Sequence, residues 1–435
     1  MKKFLFSRRS FLRQSAILSL SSAFVVPAFS KERTPSGKLN IACVGIKNRG
    51  GANVSGVKNE NIIALCDIDD HYLEAVGARF PNAKRFFDYR EMLDALGDKI
   101  DGITVSTTDH THAPIAISAM RRGIHCYCEK PIAHSIEEIR AMVQIAEEKH
   151  LVTQTGIQIH AENNYRRVVE ALQAGAIGEI KKAWIWTPAG SRRSVPPKEN
   201  MPCPKNIHWD QWLGPAPWHD YNSCYLPGAW RSWWAFGNGR FGDMCCHLTD
   251  LVYWVLGLED PVSIHATGSG SSDPSIAPAF MEIDYLIKRT HPGKPFPIHW
   301  TVGEPPKILK ENGMEPLIQG VLFEGSEGML LTDYGKNILY PKGKYEKYVR
   351  PVPSIPASPG HHAEWLQGIR ENDPSIPLCP LKYGGLLSET AFLGNISYRI
   401  GQKEILWDRK ARKILNIPEA NALLKKEYRK GWEFL

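Results

Sequence analysis

Residues 39–50 read Leu-Asn-Ile-Ala-Cys-Val-Gly-Ile-Lys-Asn-Arg-Gly, an apolar run that passes directly into a glycine-containing turn. The run predicts a short buried strand over residues 39–45, and a helix-length segment separates it from a second strand over residues 61–67. Glycines between a strand and a helix let the backbone approach the phosphates of a dinucleotide. This stretch therefore predicts the first βαβ unit of a nucleotide-binding fold.

Strands and helices continue to alternate along the first 174 residues. Further strand-like runs are 101–106, 124–128 and 152–156, and helical patterns cover 70–79, 89–97, 112–122, 135–149 and 163–174. From Glu179 onward longer β-type runs predominate, at 180–187, 262–267, 279–288, 296–302 and 320–332. Helical patterns follow at 245–257, 361–371 and 384–400, and the tail 404–435 predicts a short strand and a charged helix. We therefore predict an α/β Rossmann domain with a doubly wound parallel sheet (31–160), followed by an α+β domain with a large, mostly antiparallel open sheet (161–435).

The first 30 residues differ in composition from the rest of the chain. They contain five of the 53 Lys and Arg residues and no acid, then an apolar run and small residues before a cleavage point after Ser30. The segment Ser7-Arg8-Arg9-Ser10-Phe11-Leu12 resembles a twin-arginine (Tat) export signal. We predict a cleaved signal over residues 1–30 and a periplasmic mature chain. An ordinary secretory signal and a retained anchor are the alternatives.

The remainder of the chain carries almost no net charge. Without those five residues, 48 basic residues face 46 acidic ones, so most of the formal charge of +7 belongs to the predicted signal. This balance favours no nucleic-acid partner, and no later segment is long and apolar enough to span a membrane.

The cysteines do not indicate a disulfide framework. Their number, nine, is odd, and Cys43, Cys66, Cys126 and Cys128 fall on predicted strands, where a free thiol behaves as a small buried apolar group. The spacing of Cys126-Tyr127-Cys128 is that of neither a redox nor a zinc pair.

The glycine turn departs from the usual dinucleotide pattern at one position. Gly45 permits the tight turn and Gly50 the close strand–helix packing, but Lys47 occupies the second glycine position. Asp67, 22 residues after Gly45, ends the next strand and is placed to bind the adenosine ribose. An acid there favours NAD over NADP, with Arg49 near a 2′-phosphate as the alternative. The alternative role of Asp67 is the N-cap of the following helix.

Tryptophans are concentrated in the second half of the chain. Eight of the 13 lie between Trp184 and Trp234, around the Pro- and Gly-rich loop 188–229. A structural core for the second domain is one interpretation. We favour a surface that binds the apolar faces of sugar rings, since loops of this length in compact domains are usually functional.

Three spaced motifs resemble the Gfo/Idh/MocA oxidoreductases, the family of glucose–fructose oxidoreductase and inositol dehydrogenases. They are Glu129-Lys130-Pro131, the run Thr107-Thr108-Asp109-His110-Thr111-His112, and Gly242-Asp243-Met244-Cys245-Cys246-His247-Leu248-Thr249-Asp250. The resemblance extends to Gln158, Tyr165-Arg166-Arg167, Gly175–Gly178 and the end Glu427-Tyr428-Arg429-Lys430-Gly431-Trp432. It therefore spans nearly the whole mature chain.

The resemblance implies a set of catalytic roles. Asp243 and His247 lie one turn apart on one helix face. The family implies that His247 is the base or proton relay, that Asp243 orients it or holds a substrate hydroxyl, and that Lys130 polarises the reacting oxygen. The cluster of Cys245, Cys246, His247 and Asp250 does not suit a metal, because adjacent cysteines point to different faces of a helix.

The remaining predicted contacts fall into two groups. The cofactor-binding residues are Gly45, Lys47, Asn48, Arg49, Gly50, Asp67, Thr107, His112, Glu129 and Lys130. The substrate-binding residues are Gln158, Tyr165, Arg231, Trp233, Asp243 and His247.

These features favour an exported NAD-dependent dehydrogenase that acts on a hydroxyl of a sugar, cyclitol or glycoside. Free NAD is scarce outside the cytoplasm, which favours a cofactor that stays tightly bound. One alternative is an NAD-dependent glycosidase similar to glycoside hydrolase family 109, in which transient oxidation at C3 drives elimination. A second is a non-catalytic sugar-binding protein on the same scaffold. Relatives commonly associate through the open sheet of the second domain, which implies a homodimer or homotetramer.

Overall fold

Six short strands form a parallel sheet. They are β1 (Asn40–Val44), β2 (Asn61–Cys66), β3 (Lys84–Phe86), β4 (Gly102–Val105), β5 (His125–Cys128) and β6 (Thr153–Thr155). The helices between them are α1 (Arg49–Gly56), α2 (Asp70–Gly77), α3 (Tyr89–Leu96), α4 (Asp109–Arg121) and α5 (Ile136–Glu148). The spatial order is β3-β2-β1-β4-β5-β6. The doubly wound sheet is therefore confirmed, and its order reverses between β1 and β4, where such folds bind their ligands.

The computed structural model describes residues 37–190, 195–226, 228–271, 273–290 and 293–433. Within the chain, Lys38–Leu435 form one compact unit. The predicted signal, residues 1–30, lies outside the described residues. Among the described residues, no helix combines the length and the apolar character needed to cross a membrane.

The central strands of the first sheet are buried on both faces because helices cover both, whereas Lys84 and Arg85 of the edge strand β3 are exposed. The four residues of β4 and the last four of β1 are all buried.

Side chains at the helix starts explain where the helices begin, since Asp69, Asp88 and Ser135 each accept a hydrogen bond from a first-turn N–H. The N-cap of α2 is thus Asp69, which leaves Asp67 free of that role.

A nine-stranded sheet forms the second layer. Its strands are β7 (Ile180–Thr187), β8 (Leu258–Ser269), β9 (Phe280–Arg289), β10 (Phe296–Val302), β11 (Gly320–Gly325), β12 (Met329–Thr332), β13 (Asn337–Tyr340), β14 (Ile405–Asp408) and β15 (Lys413–Ile414). The order is β13-β12-β11-β7-β10-β9-β8-β14-β15, and only the β7–β10 pair is parallel. The mostly antiparallel sheet is confirmed. The remaining helices are α6 (Asn163–Gln173), α7 (Trp209–Leu213), α8 (Gly239–Leu256), α9 (Lys307–Glu311), α10 (His361–Glu371) and α11 (Leu381–Arg399).

The structure corrects three predicted elements. The single strand over 320–332 is a hairpin of β11 and β12 that turns at residues 326–328. The predicted charged helix in the tail is instead a 3₁₀ turn, Pro418–Leu424, followed by extended chain whose side chains bind other elements. Helix α8 begins at Gly239, earlier than the predicted residue 245, because its glycine-rich first turn carries no helical apolar pattern.

The C-terminal part of the chain returns to the first sheet. Trp365 of α10 is fully buried there, with its ring 5.9 Å from that of Tyr127 on β5. A Cβ atom on Gly102 would lie 2.9 Å from the same indole. Helix α10 therefore covers part of the first sheet. The predicted domain boundary at residue 160 stays a prediction.

Two glycines make the turn after β1 possible. Gly45 has φ +74°, and a Cβ there would lie 2.6 Å from the carbonyl oxygen of Ser106. At Gly50 a Cβ would lie 2.0 Å from the carbonyl oxygen of Gly45. Helix α1 can therefore approach β1 this closely only with glycine at residue 50.

We expect Gly50→Ala to lower the free energy of unfolding by about 1–3 kcal/mol, because the new methyl group forces the backbone apart. Gly51→Ala is the matched control, since its Cβ would meet only the Ile46 carbonyl oxygen, at 3.5 Å. Urea unfolding followed by tryptophan fluorescence measures both. Equal midpoints for the two variants would contradict this account of the turn.

Candidate active site

A cleft of about 520 Å³ opens at the carboxyl ends of the first-sheet strands. Residues from β1, β2, the β4–α4 turn and the end of β5 form one wall. Helix α8 and the segment before it form the other. Part of that segment, residues 199–226, is here called the strap, and its Gln211, Trp212 and Leu226 line the cleft.

Most of the predicted cofactor-binding residues line this cleft. They are Gly45, Lys47, Asn48, Arg49, Asp67, Thr107, His112, Glu129 and Lys130. Gly50 does not line it and instead packs beneath, against Gly45. The structure thus brings these residues together, and their roles remain predictions.

Asp67 is held in place by the backbone. Its carboxylate accepts hydrogen bonds from the N–H groups of Ile46 (2.9 Å) and Asp69 (3.2 Å). Burial raises the pKa of Asp67 to about 6, against the lowering effect of these hydrogen bonds. A carboxylate has further lone pairs, so it can still accept hydrogen bonds from hydroxyl groups in the cleft.

Lys47 and Arg49 extend to different parts of the cleft. The ammonium of Lys47 lies 5.5 Å from the centre of the Tyr72 ring, which also lines the cleft near Asp67. Arg49 instead donates to Glu129 at 2.9 Å. The alternative that Arg49 lies near a 2′-phosphate stays a prediction, and in this structure the Glu129 carboxylate binds its guanidinium.

Glu129 is the centre of a polar cluster at the end of β5. Its Oε1 accepts hydrogen bonds from Arg49, Asn53 and Gln158, each at 2.9 Å. Gln158 also donates to the hydroxyl of Tyr127 at 2.9 Å. These contacts hold the residue before Lys130 against α1 and the chain after β6.

His112 joins the loops that follow β4 and β5. One ring nitrogen lies 2.8 Å from the Pro131 carbonyl oxygen, and the other 3.1 Å from that of Thr107. The imidazole therefore holds these two loops together within one wall of the cleft.

Lys130 and Asp243 form a short ion pair across the cleft. The ammonium of Lys130 donates to the carboxylate Oδ1 and to the backbone oxygen of Asp243, both at 2.6 Å. Arg231 (3.5 Å) and Arg240 (3.3 Å) also lie near this carboxylate. Burial raises the pKa of Asp243, but the neighbouring cations outweigh it and hold that pKa well below its ordinary range. Asp243 is thus ionised at neutral pH.

The geometry of His247 differs from the expectation that Asp243 orients its ring. The Asp243 carboxylate is bound by Lys130 and the two arginines, and among the described residues the buried His247 Nδ1 has no hydrogen-bond partner. Burial and the nearby Lys130 lower the pKa of His247 well below its usual value, so the ring is neutral. Since Nδ1 is buried and His247 lines the cleft, its Nε2 is the nitrogen that faces it.

Two predicted substrate residues lie outside the cleft lining, whereas Gln158 and Arg231 are part of it. Tyr165 is fully buried, and its hydroxyl donates to the His247 carbonyl oxygen at 3.4 Å. Trp233 packs in a small core with Trp209, Trp212 and Phe236. The tryptophans of this region thus form a local core as well as a surface.

Sequence reasoning missed several residues of the site. Trp230 lines the cleft beside Arg231, and Trp432 lines it from the C-terminal end. Tyr334, from the β12–β13 turn, places its ring 6.3 Å from that of His247. Trp432 lies in a segment that already carried the family resemblance, but nothing in its spacing shows that the tail returns to the cleft.

A group of possible metal ligands lies behind α8. Ligand atoms of His160, Asp250 and Cys379 lie within 4.8 Å of one another. Asp250 accepts hydrogen bonds from His160 at 2.9 Å and Tyr383 at 2.6 Å, which accounts for this arrangement without an ion. Cys245 and Cys246 contact different neighbours, Thr249 and Ser388. The prediction that no metal binds is not tested.

Two family descriptions match the chain. Residues 39–157 match the "Oxidoreductase family, NAD-binding Rossmann fold", and residues 181–287 match the "Oxidoreductase family, C-terminal alpha/beta domain", both of the Gfo/Idh/MocA type. Together these matches cover just over half of the chain.

Curated relatives agree with these matches over part of their length. The inositol 2-dehydrogenase of Rhizobium meliloti (strain 1021) is 26% identical over 226 residues, 52% of this chain and 56% of that protein. The D-apiose dehydrogenase of Paraburkholderia graminis is 30% identical over 128 residues, 28% of this chain and 32% of that protein. The chain thus spans about a third to just over half of the length of these relatives.

Solved structures share the fold over nearly their full length. The WlbA dehydrogenase from Bordetella pertussis, solved in complex with NADH and UDP-GlcNAcA, is similar over 85% of this chain and 99% of that one. The TM-score is 0.60 at 16% sequence identity, which shows a common fold. With its Rossmann sheet, its second open sheet and both family matches, the chain belongs to the Gfo/Idh/MocA family of oxidoreductases.

Proposed function

We propose that this chain is an NAD-dependent oxidoreductase that oxidises or reduces a secondary hydroxyl of a sugar, cyclitol or glycoside. The observation that carries the proposal is the Lys130–Asp243 ion pair beside His247, at the end of a cleft that the dinucleotide-binding turn opens. An ammonium and a neutral imidazole that face one space can bind and deprotonate an alcohol.

The residues at the other end of the cleft fit NAD. A side chain at Gly45 would clash with the backbone of Ser106, so only glycine fits this turn. Asp67 presents a carboxylate to the cleft. Helix α1 begins without a side-chain cap, and although the Gly50 N–H donates to the Lys47 carbonyl oxygen at 2.9 Å, the start of the helix suits phosphate oxygens. We propose that Asp67 holds the adenosine ribose and that the turn 45–50 holds the pyrophosphate.

Lys130 is arranged to bind the reacting oxygen. An ammonium has three N–H donors, and the carboxylate and backbone oxygens of Asp243 accept two of them. The third can donate to a substrate oxygen and stabilise negative charge that develops there. Asp243 therefore acts as the positioning residue of Lys130.

His247 is arranged to take the alcohol proton. The ring is neutral, so its Nε2 can carry a lone pair toward the cleft. The nicotinamide of NAD, when bound, supplies the hydride chemistry. Proton removal by His247 and charge stabilisation by Lys130 then complete alcohol oxidation, and the reverse steps complete carbonyl reduction.

A carbohydrate substrate is supported by the relatives and by the aromatic surface. Inositol 2-dehydrogenase and D-apiose dehydrogenase are among the curated proteins that match. Trp230 lines the same cleft as Lys130, and indole faces suit the apolar faces of sugar rings. Arg231 and Gln158 offer polar groups for hydroxyls.

We also propose that the protein forms a homo-oligomer through the second sheet. On β9 exposed and buried residues alternate, so one face of the sheet lies uncovered. Leu286 of β9 and Leu406 of β14 are exposed. Such a face is suited to a second copy of the chain.

Lys130→Ala and His247→Ala are each expected to lower turnover at least ~100-fold, because each removes one group that acts on the alcohol oxygen or proton. Initial rates of NADH and keto-product formation with a panel of sugars and glycosides measure this. Lys382→Ala, on an ion pair away from the cleft, is the matched control.

Near-normal turnover in either site variant, with the fold retained by circular dichroism, would remove that residue from the proposed mechanism. Release of p-nitrophenol from aryl glycosides without net NADH would instead favour the NAD-dependent glycosidase.

The affinity for NAD is expected to fall as the pH falls through about 6, the pKa of Asp67. Below that pH Asp67 takes up a proton and loses the charge that favours ribose hydroxyl donors. Ionisation of one group predicts a roughly tenfold weaker Kd at pH 5 than at pH 7.5. Calorimetry on Asp67→Asn should show a weak, flat pH profile, whereas the exposed Asp94→Asn should follow wild type. A wild-type Kd that is unchanged over this range would contradict the assignment.

We propose export of the folded protein by the twin-arginine route, on the strength of residues 7–12. Replacement of Arg8 and Arg9 by Lys is expected to leave the precursor in the cytoplasm of a Gram-negative host, because the receptor reads the arginine pair. Fractionation and immunoblotting measure this, with Lys2 and Lys3 changed to Arg as the control. Unchanged periplasmic accumulation of the Arg8/Arg9 variant would favour an ordinary secretory signal.

A further inference from the structure

We infer that the strap and the C-terminal segment, residues 425–433, form a clasp that closes the adenosine end of the cleft and retains the bound dinucleotide between turnovers. The inference rests on the proposed function, since it assumes that NAD occupies the cleft. It assigns a role to contacts that neither the proposed chemistry nor the fold requires.

The strap binds the loop that follows Asp67. Asn206 accepts a hydrogen bond from the Asp70 N–H at 3.0 Å, and its side chain donates to Asp69 at 2.8 Å. The N–H of His208 donates to the Ile68 carbonyl oxygen at 2.9 Å, and its ring stacks on Phe87 at 3.9 Å between centroids. Phe87 itself lines the cleft. The strap is thus joined to the first domain beside the proposed ribose site.

The strap also binds the start of α4. The ring of His110 lies 3.0 Å from the Trp212 carbonyl oxygen and 3.2 Å from that of Phe236. The His110 ring is fully buried at this junction. Trp212, which lines the cleft, is therefore held in place on the opposite wall from Asp67.

The C-terminal segment locks the strap through one arginine. The Arg429 guanidinium binds the Asp210 carboxylate and backbone oxygen and the Gly214 carbonyl oxygen, and its N–H donates to Pro215. Charge-assisted contacts of this kind are stronger than neutral hydrogen bonds. Arg429 does not line the cleft, and besides the strap it contacts Trp432 of its own segment, at 5.6 Å from the ring centre.

The same segment is anchored to the first domain. Lys426 donates to the His110 carbonyl oxygen at 3.1 Å and pairs with the buried Glu138 of α5 at 2.8 Å. The hydroxyl of Tyr428 donates to the same carboxylate at 2.7 Å. The C-terminal segment therefore connects the strap to α4 and α5.

Trp432 completes the wall at the adenosine end. It is buried, lines the cleft, and lies under the guanidinium of Arg90 at 4.0 Å from the ring centre. Tyr89 and Phe87 line the same region, and aromatic faces suit a purine ring. Since the acid after β2 marks the ribose position, these rings lie where the adenine belongs. A dinucleotide can leave past this wall only when the clasp opens.

Arg429→Ala is expected to raise the NADH dissociation rate roughly tenfold or more, because it frees the strap without changing a cleft residue. The association rate should rise as well, since a clasp obstructs entry and exit alike. Stopped-flow fluorescence with a chase of excess NAD gives the rates, and absorbance after heat release gives the nucleotide content of the purified protein. Arg409→Ala is the matched control, because Arg409 pairs with acids away from the cleft.

Two further variants keep the test decisive. Arg429→Lys retains the charge but not the planar fork, so a smaller rise in the NADH dissociation rate is expected. This variant carries the test if Arg429→Ala fails to fold. Trp432→Ala should raise dissociation and weaken Kd, because it removes a wall of the adenine site.

Rates that match wild type in both the Arg429 and the Trp432 variants would overturn the clasp while the proposed function stands. A wild-type protein that binds no NAD or NADH would overturn the proposed function and the clasp together.

Discussion

The ion pair between Lys130 and Asp243 is the interaction on which the site depends. It joins the end of the first sheet to the helix that covers the second, and its two N–H···O contacts of 2.6 Å place the ammonium at the inner end of the cleft. Loss of Asp243 would leave the buried Lys130 ammonium without its carboxylate partner, and removal of one partner of a buried pair typically costs about 3–5 kcal/mol. Catalytic geometry and the joining of the two layers thus rely on one contact.

Two groups of polar contacts around this pair stabilise the cleft. Glu129 ties the chain before Lys130 to α1, and Arg231 and Arg240 keep Asp243 ionised. Because these charges balance one another locally, the chain needs no large net charge to build a strongly polar site. The strap and C-terminal segment use similar charge-assisted contacts at the opposite end of the cleft.

Much of the fold was predictable from apolar patterns, because buried parallel strands are continuous apolar runs and their turns carry recognisable residues. The predicted strands and helices of the first sheet correspond closely to β1, β2 and β4–β6 and to α2–α6. Strands β3, β13 and β15 were not predicted because they are short, and β3 is formed by Lys84, Arg85 and Phe86 at a sheet edge. The tail was read as a helix because its charges repeat, whereas its side chains bind partners far along the chain.

The sequence by itself determined the order of the elements, the glycine turn and the identity of the chemical groups, since these depend on neighbours within a few residues. Only the tertiary structure decided which groups meet. Asp243 lies one helical turn from His247 but pairs with Lys130, 113 residues away, and Trp432 reaches the cleft beside Tyr89. Helical spacing places two side chains on one face, but their partners are decided by distances through space between elements that pack together only in the folded chain.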